Sequence, residues 1–195
     1  MAVETLTGAA IRPFLPALAR LRIAVFRDWP YLYDGSEAAE ARYLDRFAAS
    51  AQAALVIARE GGEIVGCSTC QPLAEQDEAL RAPFRAAGID PARIFYFGES
   101  VLLAPWRGRG IGVAFFAARE AHAKSFARYD QAAFCAVIRP DAHPLRPRGA
   151  VPLDAFWTKR GYTRRPELVG RLAWKQVDSD GEVENRLMFW TRDLR

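Results

Sequence analysis

A chain of 195 residues with 51% hydrophobic side chains can bury a sizeable core, and a formal net charge of +4 is too mild to mark a polyelectrolyte binder. No apolar run reaches the roughly 20 residues that a membrane-spanning helix needs. The opening Met-Ala-Val-Glu-Thr-Leu-Thr-Gly lacks the basic, apolar, small-residue order of a secretory leader, so the cytoplasm is the expected compartment. Cys67, Cys70 and Cys135 are too few for a disulfide scaffold. Cys67 and Cys70 form a C-x-x-C, but it lies in a β-like run, where residues three apart face opposite sides. They read as two ordinary strand thiols, and no metal is called for.

Residues 3–6 read as a strand. Over residues 10–28 the apolar positions Leu15, Leu18, Leu21, Val25 and Phe26 have helical spacing, with Pro13 and Pro16 at the start. An aromatic loop, residues 27–35, follows. Ser36 is a good N-cap for a helix over residues 37–50. Residues 53–59 and 64–71 read as strands joined by the hairpin turn Glu60-Gly61-Gly62-Glu63. Residues 74–90 read as an inserted helical segment beside a cleft. Residues 94–103 are a buried aromatic and β-branched strand, and residues 113–124 a helix. Another strand covers residues 131–138, and a Pro- and Arg-rich loop covers residues 139–152. A short helix over residues 153–160 is closed by Gly161, and strands lie over residues 169–176 and 187–191. No repeat or internal boundary interrupts this order, so residues 1–195 are expected to form a single domain.

The informative stretch is Arg107-Gly-Arg-Gly-Ile-Gly112, between the buried strand and the next helix. Strand, glycine loop and helix N-terminus together make an anion cradle, because unpaired amides and the helix dipole both point at the loop. A P-loop is excluded, since it needs Gly-Lys-Ser/Thr. A dinucleotide fingerprint fits poorly: Val113 stands where its third glycine belongs, and the loop does not follow the first strand. The remaining pattern is Arg-x-x-Gly-x-Gly, carried by Arg107, Gly110 and Gly112. With Phe156-Trp-Thr-Lys-Arg-Gly-Tyr162 downstream, and with the order of elements, the chain resembles the GCN5-related N-acetyltransferases over most of its length.

That resemblance implies an α/β (α+β) fold with a mixed, mostly antiparallel central sheet, flanked by helices and splayed at its central strand pair. It implies acetyl-CoA as co-substrate. Pantetheine would pair with the backbone of Val101, Leu102 and Leu103. The pyrophosphate would sit on amides from Arg107, Gly108, Arg109, Gly110, Ile111, Gly112 and Val113. Two readings stand for the Arg107 and Arg109 side chains: contact with nucleotide phosphates, or solvation. Glycines there let the backbone approach a ligand closely.

Acetyl transfer from a thioester to an amine needs a neutral amine, a donor for the oxyanion and a proton for the leaving thiolate. Direct attack requires no enzyme nucleophile. Glu99, two residues before Val101, is the candidate base, against the alternative of a carboxylate ion-paired at the strand edge. His122 reads as structural, and His143 is a weaker candidate base. The resemblance puts a tyrosine acid at position 157 and an asparagine at position 150, but this chain has Trp157 and Ala150. An indole N–H donates a hydrogen bond yet supplies no proton at neutral pH. Either the thiolate leaves without a side-chain acid, or Tyr162 or Tyr96 serves. The same departures motivate a second reading, a non-catalytic acyl-CoA-binding sensor or interaction module.

In the resembled family the acceptor side is built by the first two helices and the loop between them. Here that loop carries Trp29, Tyr31 and Tyr33 with Asp28 and Asp34, a set that suits a cationic amine with an apolar body. A peptide N-terminus, a lysine side chain or a polyamine-like molecule all fit, as does the alternative that these rings only cap the core. The basic cluster Lys159, Arg160, Arg164, Arg165 and Arg171 matches no nucleic-acid motif. The final strands offer edges for a homodimer.

Overall fold

Seven strands form one sheet in the order β1-β2-β3-β4-β5-β7-β6, and β2, β3 and β4 are near-continuously buried because both faces of the sheet are covered. The computed structural model describes residues 2–195. The strands are β1 (Ala2–Thr7), β2 (Ala54–Glu60), β3 (Glu63–Pro72), β4 (Ile94–Leu102), β5 (Gln131–Val137), β6 (Thr163–Lys175) and β7 (Glu182–Asp193). The helices are α1 (Leu15–Phe26), α2 (Glu37–Ala49), α3 (Glu78–Ala86), α4 (Ile111–Ser125) and α5 (Asp154–Thr158). All neighbours are antiparallel except β4 and β5.

On one face, Leu18 and Leu21 of α1 and Leu44 and Phe47 of α2 bury against Leu55, Ile57, Cys67 and Val101. On the opposite face, Phe116 and Ala123 of α4 cover Cys70, Phe95, Phe97 and Phe134. The two thiols of the C-x-x-C therefore point to opposite sides of the sheet, and all three cysteines are free. Ser36 caps α2 by accepting the Ala39 amide at 3.3 Å.

Several boundaries differ from the sequence expectation. Residues 10–14 belong to a 3₁₀ turn, Gly8–Phe14, and the α-helix starts only at Leu15. The 74–90 segment is not one helix. It is a 3₁₀ turn over Leu73–Glu75 followed by the short α3, which seals the sheet with Leu80 and Phe84 against Phe189 and Leu168. β6 and β7 run well beyond 169–176 and 187–191, because their ends pair with each other even where the side chains are polar.

Two irregularities shape the centre of the sheet. β4 pairs with β5 only at Ile94↔Gln131, Phe95↔Ala132 and Tyr96↔Ala133, and beyond those rungs the two strands part. In the same region Ser68 pairs with Ser100 and Cys70 with Phe97, so Gly98 and Glu99 stand together opposite Thr69 as a β-bulge. A Cβ on Gly98 would lie 2.5 Å from Thr69 Oγ1, closer than any side chain tolerates. Gly98→Ala should therefore lose about 1–3 kcal/mol of stability by overpacking, read as a lower urea midpoint at unchanged m-value; an unchanged midpoint would show that the bulge does not need glycine.

Candidate active site

Beyond the end of β4 a 3₁₀ turn, Ala104–Trp106, leads into the glycine loop, where Gly108 and Gly110 take left-handed φ values of 76° and 83°. Gly110 is the N-cap of α4, and its carbonyl accepts the amides of Val113 at 3.0 Å and Ala114 at 3.1 Å. The Arg107 amide is likewise taken, by the Ala104 carbonyl at 3.1 Å. This narrows the expected cradle. Arg107 and Val113 drop out as amide donors, while the amides of Gly108, Arg109, Gly110, Ile111 and Gly112 have no acceptor among the described residues. The buried Trp106 indole N–H is also without a partner there. A Cβ at Gly112 would meet the Phe156 ring at 3.2 Å, so glycine is what lets α5 abut α4. The Arg109 guanidinium lies over the Trp106 ring at 4.7 Å, and Arg107 Nε donates to the Leu102 carbonyl at 3.1 Å. A run of orphan donors at a helix N-terminus, open to close approach, fits a pyrophosphate.

Hydrogen-bonding groups alternate between the two edges of a strand. The Leu103 amide donates to Val65 of β3 at 3.0 Å, so Leu103 and Val101 turn toward β3. Ser100 and Leu102 then face the gap left by β5, with the Leu102 carbonyl already accepting from Arg107 Nε. Of the three expected pairing residues, Leu102 faces the gap, and Ser100, which the sequence reading missed, joins it.

Glu99 lies on the other side of the bulge, 5% exposed, among α1 and α2. Its Oε2 accepts from Arg22 Nη1 at 2.6 Å and from the Tyr43 hydroxyl at 3.1 Å. Arg22 Nε also donates to Glu40 Oε2 at 2.5 Å, and Glu40 is 1% exposed. The Arg22 guanidinium rests on the Tyr43 ring at 4.3 Å. Burial works against this cation, but Glu99, Tyr43 and Glu40 together outweigh it, so Arg22 stays charged above its ordinary range. Two carboxylates thus share one cation. Glu99 Oε1 is buried with no hydrogen-bond partner. Sequence reading found Glu99 and missed Arg22, Glu40 and Tyr43. Their signal was present as charged residues on the helix faces that turn inward, and only the sheet register brings them together.

The aromatic loop closes over this cluster. Arg139, just beyond β5, donates from Nε to the Pro30 carbonyl at 2.7 Å and from Nη2 to the Tyr31 carbonyl at 2.9 Å. Trp174 Nε1 also donates to Tyr31, at 3.1 Å, and the Val177 amide to the Leu32 carbonyl at 2.8 Å. Tyr31 stacks on Phe26, its phenol pushed up by burial and by Cys135. Tyr33 is pushed up to about 12 by burial and by the Glu40 carboxylate. Trp29 faces the His143 ring at 5.2 Å. His122 binds the Gln52 carbonyl at 2.9 Å, within the core.

The two other residues expected at the chemistry point elsewhere. Trp157 is wedged against Phe134 and Trp190, with ring centroids 5.1 and 5.2 Å away. Tyr162 is 2% exposed in the core on the α4 face, and its hydroxyl donates to Glu120 at 3.1 Å. Glu120 is also held by Arg192. Tyr162 is thus placed as a buried tie between α5 and α4. Tyr96 reaches across the splay, with its hydroxyl 3.2 Å from Cys135 Sγ.

Solved structures of similar architecture have this arrangement of sheet and helices. A ribosomal-protein-alanine N-acetyltransferase from Brucella melitensis superposes with a TM-score of 0.63 at 13% identity, covering 99% of this chain and 99% of that one. An aminoglycoside 6'-N-acetyltransferase complexed with coenzyme A gives 0.59 at 13% identity, covering 100% and 98%. The GNAT-like decarboxylase GphF, in complex with isobutyryl-CoA, gives 0.60 at 18% identity, covering 100% of both chains. No protein-family model and no curated protein matches the sequence. The chain has the fold of the GCN5-related N-acetyltransferases.

Removing Arg22 would leave two buried carboxylates without their cation. Arg22→Met should cost about 3–5 kcal/mol, measured by chemical denaturation. Arg22→Met in the Glu40→Gln, Glu99→Gln background should cost much less, and equal losses in both backgrounds would refute the shared-cation account.

Proposed function

We propose that the chain is an acyl-CoA-dependent N-acyltransferase that moves an acetyl group to a primary amine by direct attack on the thioester. One observation carries this reading: the unpartnered amides of residues 108–112 lie beyond the end of β4, the strand whose edge opens at Ser100 and Leu102. A phosphate-bearing group on the loop, followed by an extended arm paired along that edge, is the ligand shape such a layout selects. Acetyl-CoA has that shape, and no metal is required. Arg107 and Arg109 flank the same site with exposed side chains.

Glu99 is the base in this reading. Its free Oε1 receives the amine's proton, while Oε2 stays fixed by Arg22 and Tyr43. The acceptor enters beneath the loop of Trp29, Tyr31 and Tyr33, and the excess negative charge of the Glu40–Arg22–Glu99 group favours one that arrives as a cation. A peptide N-terminus, a lysine side chain and a small polyamine share that chemistry. The cytoplasm is the proposed compartment, and among the described residues no helix is long and apolar enough to cross a membrane. A homodimer through the outer edge of β6 completes the proposal.

The second reading, acyl-CoA binding without turnover, draws on the wedged Trp157 and the engaged Tyr162 hydroxyl. Isothermal titration with acetyl-CoA tests both readings together, and absence of heat at millimolar ligand would sink them. A Val at Gly110, whose φ is 83°, should weaken that binding at least tenfold by disturbing the cradle. An amine panel then separates the readings. In the acyltransferase, Glu99→Gln should lower turnover by about 10²–10⁴-fold while leaving acetyl-CoA affinity within about twofold. Binding with no acetylated product from any amine favours the sensor.

A further inference from the structure

The departing sulfur of a thioester needs a proton, and the position where the sequence pattern places a donor holds Trp157 instead. The reacting end of the acyl-CoA can be located along β4. From Leu102 back to Gly98, at about 3.3 Å per residue, an arm laid along the open edge covers roughly 13 Å. That ends two residues short of Tyr96↔Ala133, where β4 and β5 rejoin.

Around this vertex the protonated groups can be taken one by one. On the α4 face, Tyr162 gives its proton to Glu120. Trp157 is packed between Phe134 and Trp190. Arg119 lies over the Phe97 and Phe116 rings, with its Nε on the Phe115 carbonyl at 3.2 Å. On the α1–α2 face, Tyr43 gives its proton to Glu99. Tyr31, Tyr96 and Cys135 are left. Tyr31 belongs to the aromatic loop, while Tyr96 and Cys135 form the two walls of the splay, and no carboxylate takes a proton from either. Cys135 lies two residues beyond the last β4–β5 rung, so the Tyr96 hydroxyl leans toward the open side of the gap. The bulge at Gly98 brings Glu99 to the same face as Tyr96.

We propose that Tyr96 is a catalytic residue whose hydroxyl donates a hydrogen bond to the departing CoA thiolate. The proposal rests on the acyltransferase reading above. The amine nitrogen's lone pair forms the new C–N bond, and the C–S pair leaves with sulfur. Sulfur leaves as a thiolate held by the Tyr96 hydroxyl, and the amine's surplus proton goes to Glu99 Oε1. Solvent then protonates the thiolate and removes the proton from Glu99, leaving amide and free thiol. The groups facing Tyr96 are Cys135 of β5, Tyr43 of α2 and Tyr31 of the aromatic loop, and burial together with all three favours its neutral, proton-bearing form. Burial pushes the Cys135 thiol up to about 11, so it too stays protonated.

The test needs no acceptor. Free CoA bound to the full chain is titrated by its ultraviolet thiolate absorbance, with desulfo-CoA as the blank for the protein's own cysteines and tyrosines. A Tyr96 hydroxyl that donates to the sulfur holds the bound thiol's pKa down. Tyr96→Phe should raise it by about one pH unit, a tenfold change that matches one hydrogen bond. Cys135→Ala should not raise it. Equal titrations in wild type and Tyr96→Phe, or a rise with Cys135→Ala alone, would overturn the assignment. Should Tyr96→Phe fail to fold, 3-fluorotyrosine at position 96 should lower the bound thiol's pKa, and no change would again overturn it. Calorimetry of CoA binding is run alongside: no binding defeats the acyltransferase reading and Tyr96 with it, whereas binding with unmoved titrations defeats Tyr96 alone.

Discussion

The β-bulge at Gly98 and Glu99 sets the geometry of everything around it. One extra residue on β4 changes which side chains face which helices. Before it, alternation puts Tyr96 toward the α1–α2 side and Phe97 toward α4. After it, Glu99 faces α1 and α2 when strict alternation would have turned it to α4. Without the bulge the carboxylate would turn to the other face, toward Phe97, Phe116 and the buried Arg119. With the bulge it meets Arg22 and Tyr43. The same irregularity lies beside the point where β5 leaves β4, so an open backbone edge and a buried carboxylate come from one local defect.

The charges near the defect follow from its burial. A buried charge without a partner is costly. Arg22 supplies the opposite charge, and it also serves Glu40, which ties α1 to α2. One guanidinium therefore holds the helix pair together and aims Glu99. Tyr43 adds its hydroxyl and lends its ring to the cation. A side chain fixed on one oxygen and bare on the other is pre-organised for a partner that brings its own hydrogen-bond donor.

Much of this fold was legible in the sequence. Hydrophobic periodicity marked helices over residues 10–28 and 37–50 and strands over residues 53–59 and 94–103, which the structure places at 15–26, 37–49, 54–60 and 94–102. Gly61-Gly62 marked the hairpin, and the glycines at 108, 110 and 112 marked the cradle. Local chemistry encodes such features. What stayed hidden depends on register or on competition between partners. Nothing local tells that Val113 spends its amide closing the first turn of α4, or that Leu103 spends its own on Val65. Tyr162 looked like a spare hydroxyl because Glu120 lies 42 positions away in sequence. The Arg22–Glu40–Glu99 group joins three elements, and no spacing rule reaches across them. The long β6–β7 pairing escaped because Thr163–Arg165 and Glu182–Glu184 are polar, and partner strands rather than composition make them extended.

The aromatic loop is fastened almost wholly through its main chain. Arg139 and Trp174 grip the carbonyls of Pro30 and Tyr31, Val177 grips that of Leu32, and the Asp34 amide reaches the Lys175 carbonyl at 2.8 Å. Such fastening is indifferent to the identity of most side chains it carries. Tyr31, packed on Phe26 and Trp174, is the exception among the rings of the loop. The cradle has no such freedom, since its glycines are demanded by backbone angles and by Phe156. On the proposed reading, the acceptor side of this small chain is the freer to vary and the nucleotide side is fixed by its backbone.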